Sequence, residues 1–360
     1  MVWLFCIEFY FVRELCFNES VTGGSTMKIF AYGIRDDEKL ILEEWKSTNP
    51  GVEVNFTGYD LTSDSAFLAD DADGIVTMQN AYYSRDALEI LNKLGIHNLS
   101  TRTTNIANFN FKDLKELGFK LTNVPDYCAS SIAEHVIVLM GQLLQQQPQF
   151  TEKMHQGDFT LSPNIGQSFS SQTIGVIGTG RTGLAVIKLL QALGSKVIAY
   201  DIEHNSDLET QGLYADHLSE LYQKSDVITL QLPLTSNTRY LINDSAIKQM
   251  KPGVILINCA HGQLLDTDAL IKGLDSGQIA GAGLDVLDDE TSVFGKIWSS
   301  LKNIPNGDIR DLLQRNNVVI TPHNAFYTQM AVRKMIITAF DSNKALIEGK
   351  TPSTIVDLDK

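Results

Sequence analysis

From Met27 to about Val124, short apolar runs rich in β-branched residues alternate with segments whose apolar residues recur every three or four positions. The runs are KIFAY, VEVNF, GIVTM and KLTNV; between them lie EKLILEEW and SRDALEILNKLG. Such alternation predicts a parallel sheet flanked by helices. Around Tyr127 to Gln147, SSIAEHVIVLMGQLLQQQ reads as one helix ended by Pro148, since proline lacks the N–H and clashes with the preceding turn. A second series starts at Thr173 with TIGVIG, KVIAYD, DVITLQLP, GVILINC, IAGAGLDV and NVVITPH. Several of these are apolar nearly throughout, as central parallel strands buried on both faces require. Past His323, QMAVRKMIITAFDSNKALIEG reads as a closing amphipathic helix. The pattern predicts an α/β protein of two domains, the second inserted into the first.

Composition narrows the functional classes. A chain of 360 residues exceeds one small core, and 43% hydrophobic with 20% charged residues is ordinary globular usage. The net charge of −14 argues against nucleic acid and anionic membrane as partners, because both repel an acidic surface. Cys6, Cys16, Cys128 and Cys259 show no CxxC or metal-ligand spacing. No metal site is expected, and the thiols read as reduced side chains of a cytoplasmic protein. The first 26 residues differ from the rest: MVWLFCIEFYFVRELCF is apolar but broken by Glu8, Arg13 and Glu14. Without a basic leader it is a poor signal peptide, and its apolar runs are too short for a membrane span. Translation is expected to begin at Met27, leaving 1–26 as an extension that is not native.

GVIGTGRTG places Gly178, Gly180 and Gly183 after a strand and at the start of the helical stretch LAVIKLLQAL, with Arg181 and Thr182 between the last two. A glycine triplet alone is a weak signal. Strand, triplet and helix together form a dinucleotide site: Gly178 for the tight turn, Gly180 for backbone approach to a pyrophosphate, Gly183 for close packing. Arg181 is directed either near the phosphates or to solvent. The next strand ends at Asp201, 18 residues beyond Gly183. A carboxylate there binds ribose hydroxyls and repels a 2′-phosphate, and DIEHNSD offers no Arg or Lys to compensate, so NAD is expected rather than NADP.

His97, His155, His204 and His217 lie in polar surroundings and read as surface residues, and His135 as a packing residue in an apolar helix. His323 follows VVITP at the C-terminal end of a strand, the edge where open α/β sheets place ligands. GLDVLDDE brings Asp285, Asp288, Asp289 and Glu290 to that same edge. A histidine held by a carboxylate keeps a raised pKa and exchanges a proton near neutral pH. Beside a nicotinamide this suits alcohol–ketone interconversion, although such a pair also occurs as a structural ion pair.

Seven stretches, KIFAYGIRDDE, TNVPDYCASSIAEH, GVIGTGRTG, VITLQLPLT, LDTDALIKGLDSGQIAGAGLDVLDDE, VVITPHNAFYT and IEGK, resemble in order the D-isomer-specific 2-hydroxyacid dehydrogenases, within them the D-lactate dehydrogenase branch. The likeness runs from Met27 to the C-terminus. It implies a Rossmann NAD-binding domain (129–325) inserted into a flavodoxin-like substrate domain (27–128 and 326–360), an active-site cleft between them, and a homodimer built on the inserted domain. It implies a small 2-keto acid or D-2-hydroxy acid as substrate, with His323 as general acid/base and Glu290 as its carboxylate partner. Tyr127 and Phe326 would line the substrate pocket. Leu232 and Pro233 would lie along the nicotinamide, with Asp285 nearby.

Three sites, four positions in all, depart from the family pattern. His261 stands where the family carries an arginine that holds the substrate carboxylate; an imidazole has fewer donors and only partial charge near pH 7. In LSTRTTNIANFNF, Asn105 and Ala107 stand where glycine and aspartate are usual, in a loop whose backbone around Thr104 and Asn105 would cradle that carboxylate. Asn105 tolerates left-handed dihedrals, so the loop could keep its path. Gln231 replaces a frequent histidine. Arg102 is the nearest candidate to supply the missing charge. The readings are an active NAD-dependent dehydrogenase using His261 in the arginine's place, an impaired NAD-binding paralogue with a binding or regulatory role, or an enzyme with a changed substrate.

Overall fold

The computed structural model describes residues 26–79 and 81–359. The N-terminal stretch considered above, with Cys6 and Cys16, lies outside them. The chain forms two compact units. The first takes residues 26–101, 109–122 and 339–359; the second takes 102–108 and 123–338.

The first unit carries β1 (Met27–Ala31), β2 (Val52–Phe56), β3 (Gly74–Thr77), β4 (Asn98–Thr101) and β5 (Lys120–Thr122). They pair in parallel in the order β2-β1-β3-β4-β5, the flavodoxin-like doubly wound arrangement. β4 is not foreseen by the hydrophobic pattern. Its sequence NLST is mostly polar, yet Ser100 and Thr101 are fully buried. The burial of Ser100 is tolerated because its Oγ accepts from Thr122 Oγ1 at 2.6 Å and from Asn343 Nδ2 at 3.1 Å. Asn343 lies on the closing helix Gln329–Ile347 and also donates to Ile75 O at 2.9 Å. On the same helix, the Phe340 ring packs 5.2 Å from that of Trp45, whose Nε1 donates to Asp341 Oδ1 at 2.8 Å.

The second unit carries β6 (Thr173–Ile177), β7 (Lys196–Tyr200), β8 (Val227–Leu230), β9 (Val254–Asn258), β10 (Ile279–Leu284) and β11 (Val318–Ile320). All are parallel, in the order β11-β10-β9-β8-β6-β7. A lone parallel bridge from Ala199 to Tyr214 adds the stub of a further strand beyond β7. The order runs outward in both directions from β6, so the switch point lies at the C-terminal ends of β6 and β8. Both faces are covered. Val136, Met140, Val186 and Leu190 from the helices Ala129–Leu144 and Arg181–Ala192 pack on Ile174, Val176 and Ile257. Leu221, Leu270 and Leu312 belong to the opposite cluster, with Ile228 and Leu256.

The helix expected to run to Pro148 breaks earlier. It ends at Leu144, and Gln146 takes a left-handed conformation (φ 50°) as the cap of a second helix, Gln147–His155. Pro148 sits in the first turn of that second helix, where its missing N–H needs no partner. Among the described residues no helix is long and apolar enough to cross a membrane.

Candidate active site

β6 turns at Gly178, whose φ of +98° strains any side chain; a Cβ there would lie 2.3 Å from Gln231 O. A Cβ on Gly183 would lie 2.0 Å from Gly178 O. These two clashes fix the turn tightly between the ends of β6 and β8, so that it abuts the Gln231–Leu232 backbone. Leu232 is half-buried and Pro233 exposed. Gly180 is the opposite case: a Cβ would meet nothing within 4 Å. It caps the helix Arg181–Ala192 without a side-chain hydrogen bond, leaving the first-turn N–H groups available to an anion. Thr182 is half-buried and Arg181 exposed. A closed turn with open space over an uncapped helix start fits a pyrophosphate.

Asp201 follows β7. Its Oδ2 accepts from Thr179 N at 2.6 Å and from Thr179 Oγ1 at 3.1 Å, and Glu203 N donates to Oδ1 at 3.2 Å. Thr179 Oγ1 lies 2.7 Å from Tyr214 Oη, which also accepts from Asn205 N at 2.8 Å. The carboxylate is thus held beside the glycine turn. His204 is exposed, as expected of a surface residue, and its ring stacks on Tyr214 at 3.9 Å. His97 departs from the surface expectation: half-buried, it contacts Asn92 Nδ2 and Gly95 O at 3.1 Å each.

At the ends of β10 and β11 the structure brings His323 and Glu290 together, Nδ1 to Oε1 at 2.5 Å. Glu290 Oε2 accepts from Leu287 N at 2.9 Å, so the carboxylate is anchored to the backbone. Withdrawal from water pulls the His323 pKa down, but the Glu290 hydrogen bond and the charges of Glu290 and Asp285 outweigh it, and the net shift is upward. His323 is left-handed (φ 55°), a conformation that persists only where its surroundings impose it. Asp285 imposes it. His323 N donates to Asp285 O at 2.9 Å, and the Asp285 carboxylate accepts from Asn324 N at 2.9 Å, Ala325 N at 3.0 Å and Thr321 Oγ1 at 2.5 Å.

Asp285 is 1% exposed with both oxygens engaged, which makes it a positioning residue for the histidine turn. His135, expected as a packing residue, joins the same network through Nε2 and Thr321 Oγ1 at 2.9 Å. The pattern GLDV, an acid directly after a strand, is the only sequence trace of this scaffold.

Phe326 stands edge-on to His323 at 6.5 Å and to Tyr127 at 6.2 Å, so the three rings form a row. Thr104 Oγ1 donates to Val124 O at 2.8 Å. Asn105 does not use a positive φ; its Oδ1 accepts from Ala107 N at 3.0 Å and closes the loop as an Asx turn. His261 follows β9, half-buried, with its carbonyl held by Asn258 Nδ2 at 2.8 Å. Burial and the charge of His323 lower its pKa against an opposing pull from Glu290. Arg102 is fully buried, so its charge is not presented to solvent. Gln231 is buried and bonded to Thr229 Oγ1 at 2.9 Å. Burial pushes the Cys128 thiol up to about 11 and Cys259 well above the ordinary thiol range, which keeps thiolate chemistry out of this region.

What such an edge can do is hold a dinucleotide at a switch point close to a proton-exchanging histidine, which is the working arrangement of a nicotinamide-dependent oxidoreductase. The model of the D-isomer specific 2-hydroxyacid dehydrogenase NAD binding domain matches residues 137–325. D-lactate dehydrogenase of Lactobacillus delbrueckii subsp. bulgaricus is 43% identical over 329 residues, 91% of this chain and 98% of that protein. D-lactate/D-glycerate dehydrogenase of Pediococcus acidilactici is 42% identical over 322 residues, 89% and 97% of the two chains. The NAD-complexed structure of a D-isomer specific 2-hydroxyacid dehydrogenase from L. delbrueckii ssp. bulgaricus superimposes with a TM-score of 0.84 at 34% identity, covering 92% of this chain and 100% of that one. The chain belongs to the D-isomer-specific 2-hydroxyacid dehydrogenase family and is an NAD-dependent oxidoreductase acting on a CH–OH group.

Proposed function

We propose that the chain interconverts small 2-oxo acids and D-2-hydroxy acids, with pyruvate and D-lactate as the first pair to test. The carrying observation is the 2.5 Å contact between His323 and Glu290 on a turn held by Asp285. Bound NADH supplies the hydride to C2. His323, with Nδ1 on Glu290, presents its Nε2 proton to the oxygen of the former carbonyl, and takes it back in the reverse direction. Tyr127 and Phe326 line the pocket. His261 and the backbone around Thr104 and Asn105 receive the carboxylate.

Gly178, Gly180, Arg181, Thr182 and Gly183 would hold the pyrophosphate and Asp201 the ribose, with Leu232 and Pro233 on the nicotinamide side and Asp285 shaping the histidine turn. In this reading 129–325 is the cofactor domain and 27–128 with 326–360 the substrate domain. An impaired NAD-binding relic is disfavoured, because the acid/base pair, its scaffold and the Gly180 cradle are all retained. A homodimer is supported by exposed Met154, Phe159, Leu161 and Ile165 on the second unit. Among the described residues Cys128 and Cys259 are free thiols, which is compatible with a cytoplasmic site.

The test is NADH oxidation with a panel of 2-oxo acids. Turnover with pyruvate or a close homologue is expected; NADH binding without consumption of any of them would overturn the reading. At the cofactor end, Asp201→Ser removes the group that repels a 2′-phosphate and shifts preference from NADH toward NADPH. The expected change in the ratio of kcat/KM values is about 10- to 100-fold, the scale of one hydrogen bond to a charged group.

Glu290→Gln removes the charge that raises His323. The protonated donor then persists over less of the pH scale, so the basic limb of the reductive kcat/KM profile moves to lower pH. An unmoved limb would contradict the pairing.

A further inference from the structure

β10 pairs on one side with β9 and on the other with β11, and Leu284 lies opposite both Asn258 and Ile320. Three residues beyond this row stand His261, Leu287 and His323. The middle one is where Glu290 is anchored, through Leu287 N and Oε2. The His261 turn presses onto the same stretch, since a Cβ on Gly262 would fall 2.1 Å from the Leu287 carbonyl carbon. The charges of both His323 and Glu290 reach the His261 ring, while the Glu290 oxygens are engaged elsewhere, Oε1 with His323 and Oε2 with Leu287 N. Among the described residues the His261 ring has no hydrogen-bond partner. A half-buried imidazole lacking its own counter-ion, beside a second imidazole that has one, is a place where an arriving anion completes the charge balance.

We infer that His261 is a protonation-gated clamp: the carboxylate of the 2-oxo acid binds together with a proton taken up by the His261 ring. This rests on the dehydrogenase reading above. Burial and the neighbouring His323 hold the His261 ring neutral to lower pH than usual, while Glu290 keeps His323 cationic to higher pH. Between the two midpoints the site holds one cationic and one neutral imidazole. An anion entering there stabilises the second imidazolium, and each pH unit costs about tenfold in anion affinity, the signature of one linked proton. Below the His261 midpoint the ring is already charged and affinity is flat. Above the His323 midpoint a second proton is lost and the fall steepens.

The other charged groups around His261 are committed. Asp285 is held by Thr321, Asn324 and Ala325. Asp288 accepts from Tyr240 Oη and Gln263 Nε2, with Arg239 on Gln263 and over the Tyr240 ring. Asp289 lies at the exposed end of its loop, 3.4 Å from Asn306 Nδ2. Imidazole is the side chain whose ordinary titration range falls between about pH 5 and 8.

The test is binding of oxamate, a non-reducible 2-oxo acid analogue, to the enzyme–NADH complex, followed by NADH fluorescence from about pH 5.5 to about pH 8. In the wild type Kd is expected to rise about tenfold per pH unit over part of this range. Calorimetry in two buffers of different ionisation enthalpy should register net proton uptake there. His261→Arg carries a permanent charge and should keep Kd within roughly threefold over the same window. A pH-independent wild-type Kd, or an equal slope in His261→Arg, overturns the clamp and leaves the dehydrogenase reading standing. No oxamate binding at any pH, together with no NADH oxidation, overturns both. Unchanged NADH affinity in His261→Arg verifies that the variant is folded.

Discussion

His323→Asn lowers kcat/KM for 2-oxo acid reduction by about 10³-fold, within the range for loss of a positioned general acid, and leaves NADH affinity nearly unchanged. Asparagine is the replacement of choice because the position is left-handed (φ 55°), a region asparagine enters more readily than most residues. The turn is held from outside by the Asp285 carboxylate through Asn324 N and Ala325 N, contacts the variant retains. Glu290 keeps its bond to Leu287 N. What disappears is the proton that the ring exchanges with the substrate oxygen, so the loss should fall on kcat. Steady-state kinetics with a fluorescence titration of NADH separates the two effects. A loss of less than tenfold in kcat would remove His323 from the chemistry.

The second large effect runs the other way. His261→Arg should raise kcat/KM at neutral pH by about 10²-fold, or about 3 kcal/mol, chiefly through KM. That is the scale for completing a desolvated charge pair. A guanidinium reaches further than an imidazole, offers paired donors to a carboxylate, and stays charged where the His261 ring is neutral. The gain should grow with pH, because burial and His323 both work against charge on the native ring. A variant equal to or poorer than wild type across the pH range would mean that the carboxylate is held elsewhere.

His323 is legible from the pattern, since it ends an apolar run read as a buried strand and strand ends of parallel sheets are where ligands gather, whereas the role read for His261 comes from the family resemblance. The glycine turn is legible for a similar reason: few alternatives place three glycines and an acid at that spacing around a strand and a helix. What is not legible depends on contacts between distant segments. β4 is mostly polar by sequence and becomes a strand because Thr122 and Asn343 satisfy Ser100. Asp285 reads as a possible cofactor neighbour, but its carboxylate turns inward to hold three residues some forty positions further along.

His135 reads as packing and proves to be bonded to Thr321. Arg102 reads as a spare charge and is fully buried. Neither outcome follows from residue type: His135 gains a polar partner in the scaffold, and Arg102 is withdrawn from the open site by burial. Asn105 shows a local version: its left-handed tolerance goes unused, and its side chain caps Ala107 N.

The central claim is that this chain turns over as a D-2-hydroxyacid dehydrogenase despite a histidine at position 261. The most direct measurement is chiral analysis of the product formed when purified protein, NADH and pyruvate react to completion. The account predicts D-lactate in stoichiometric amount with the NADH oxidised. L-lactate, a racemate, or NADH that stays bound and unconsumed would contradict it.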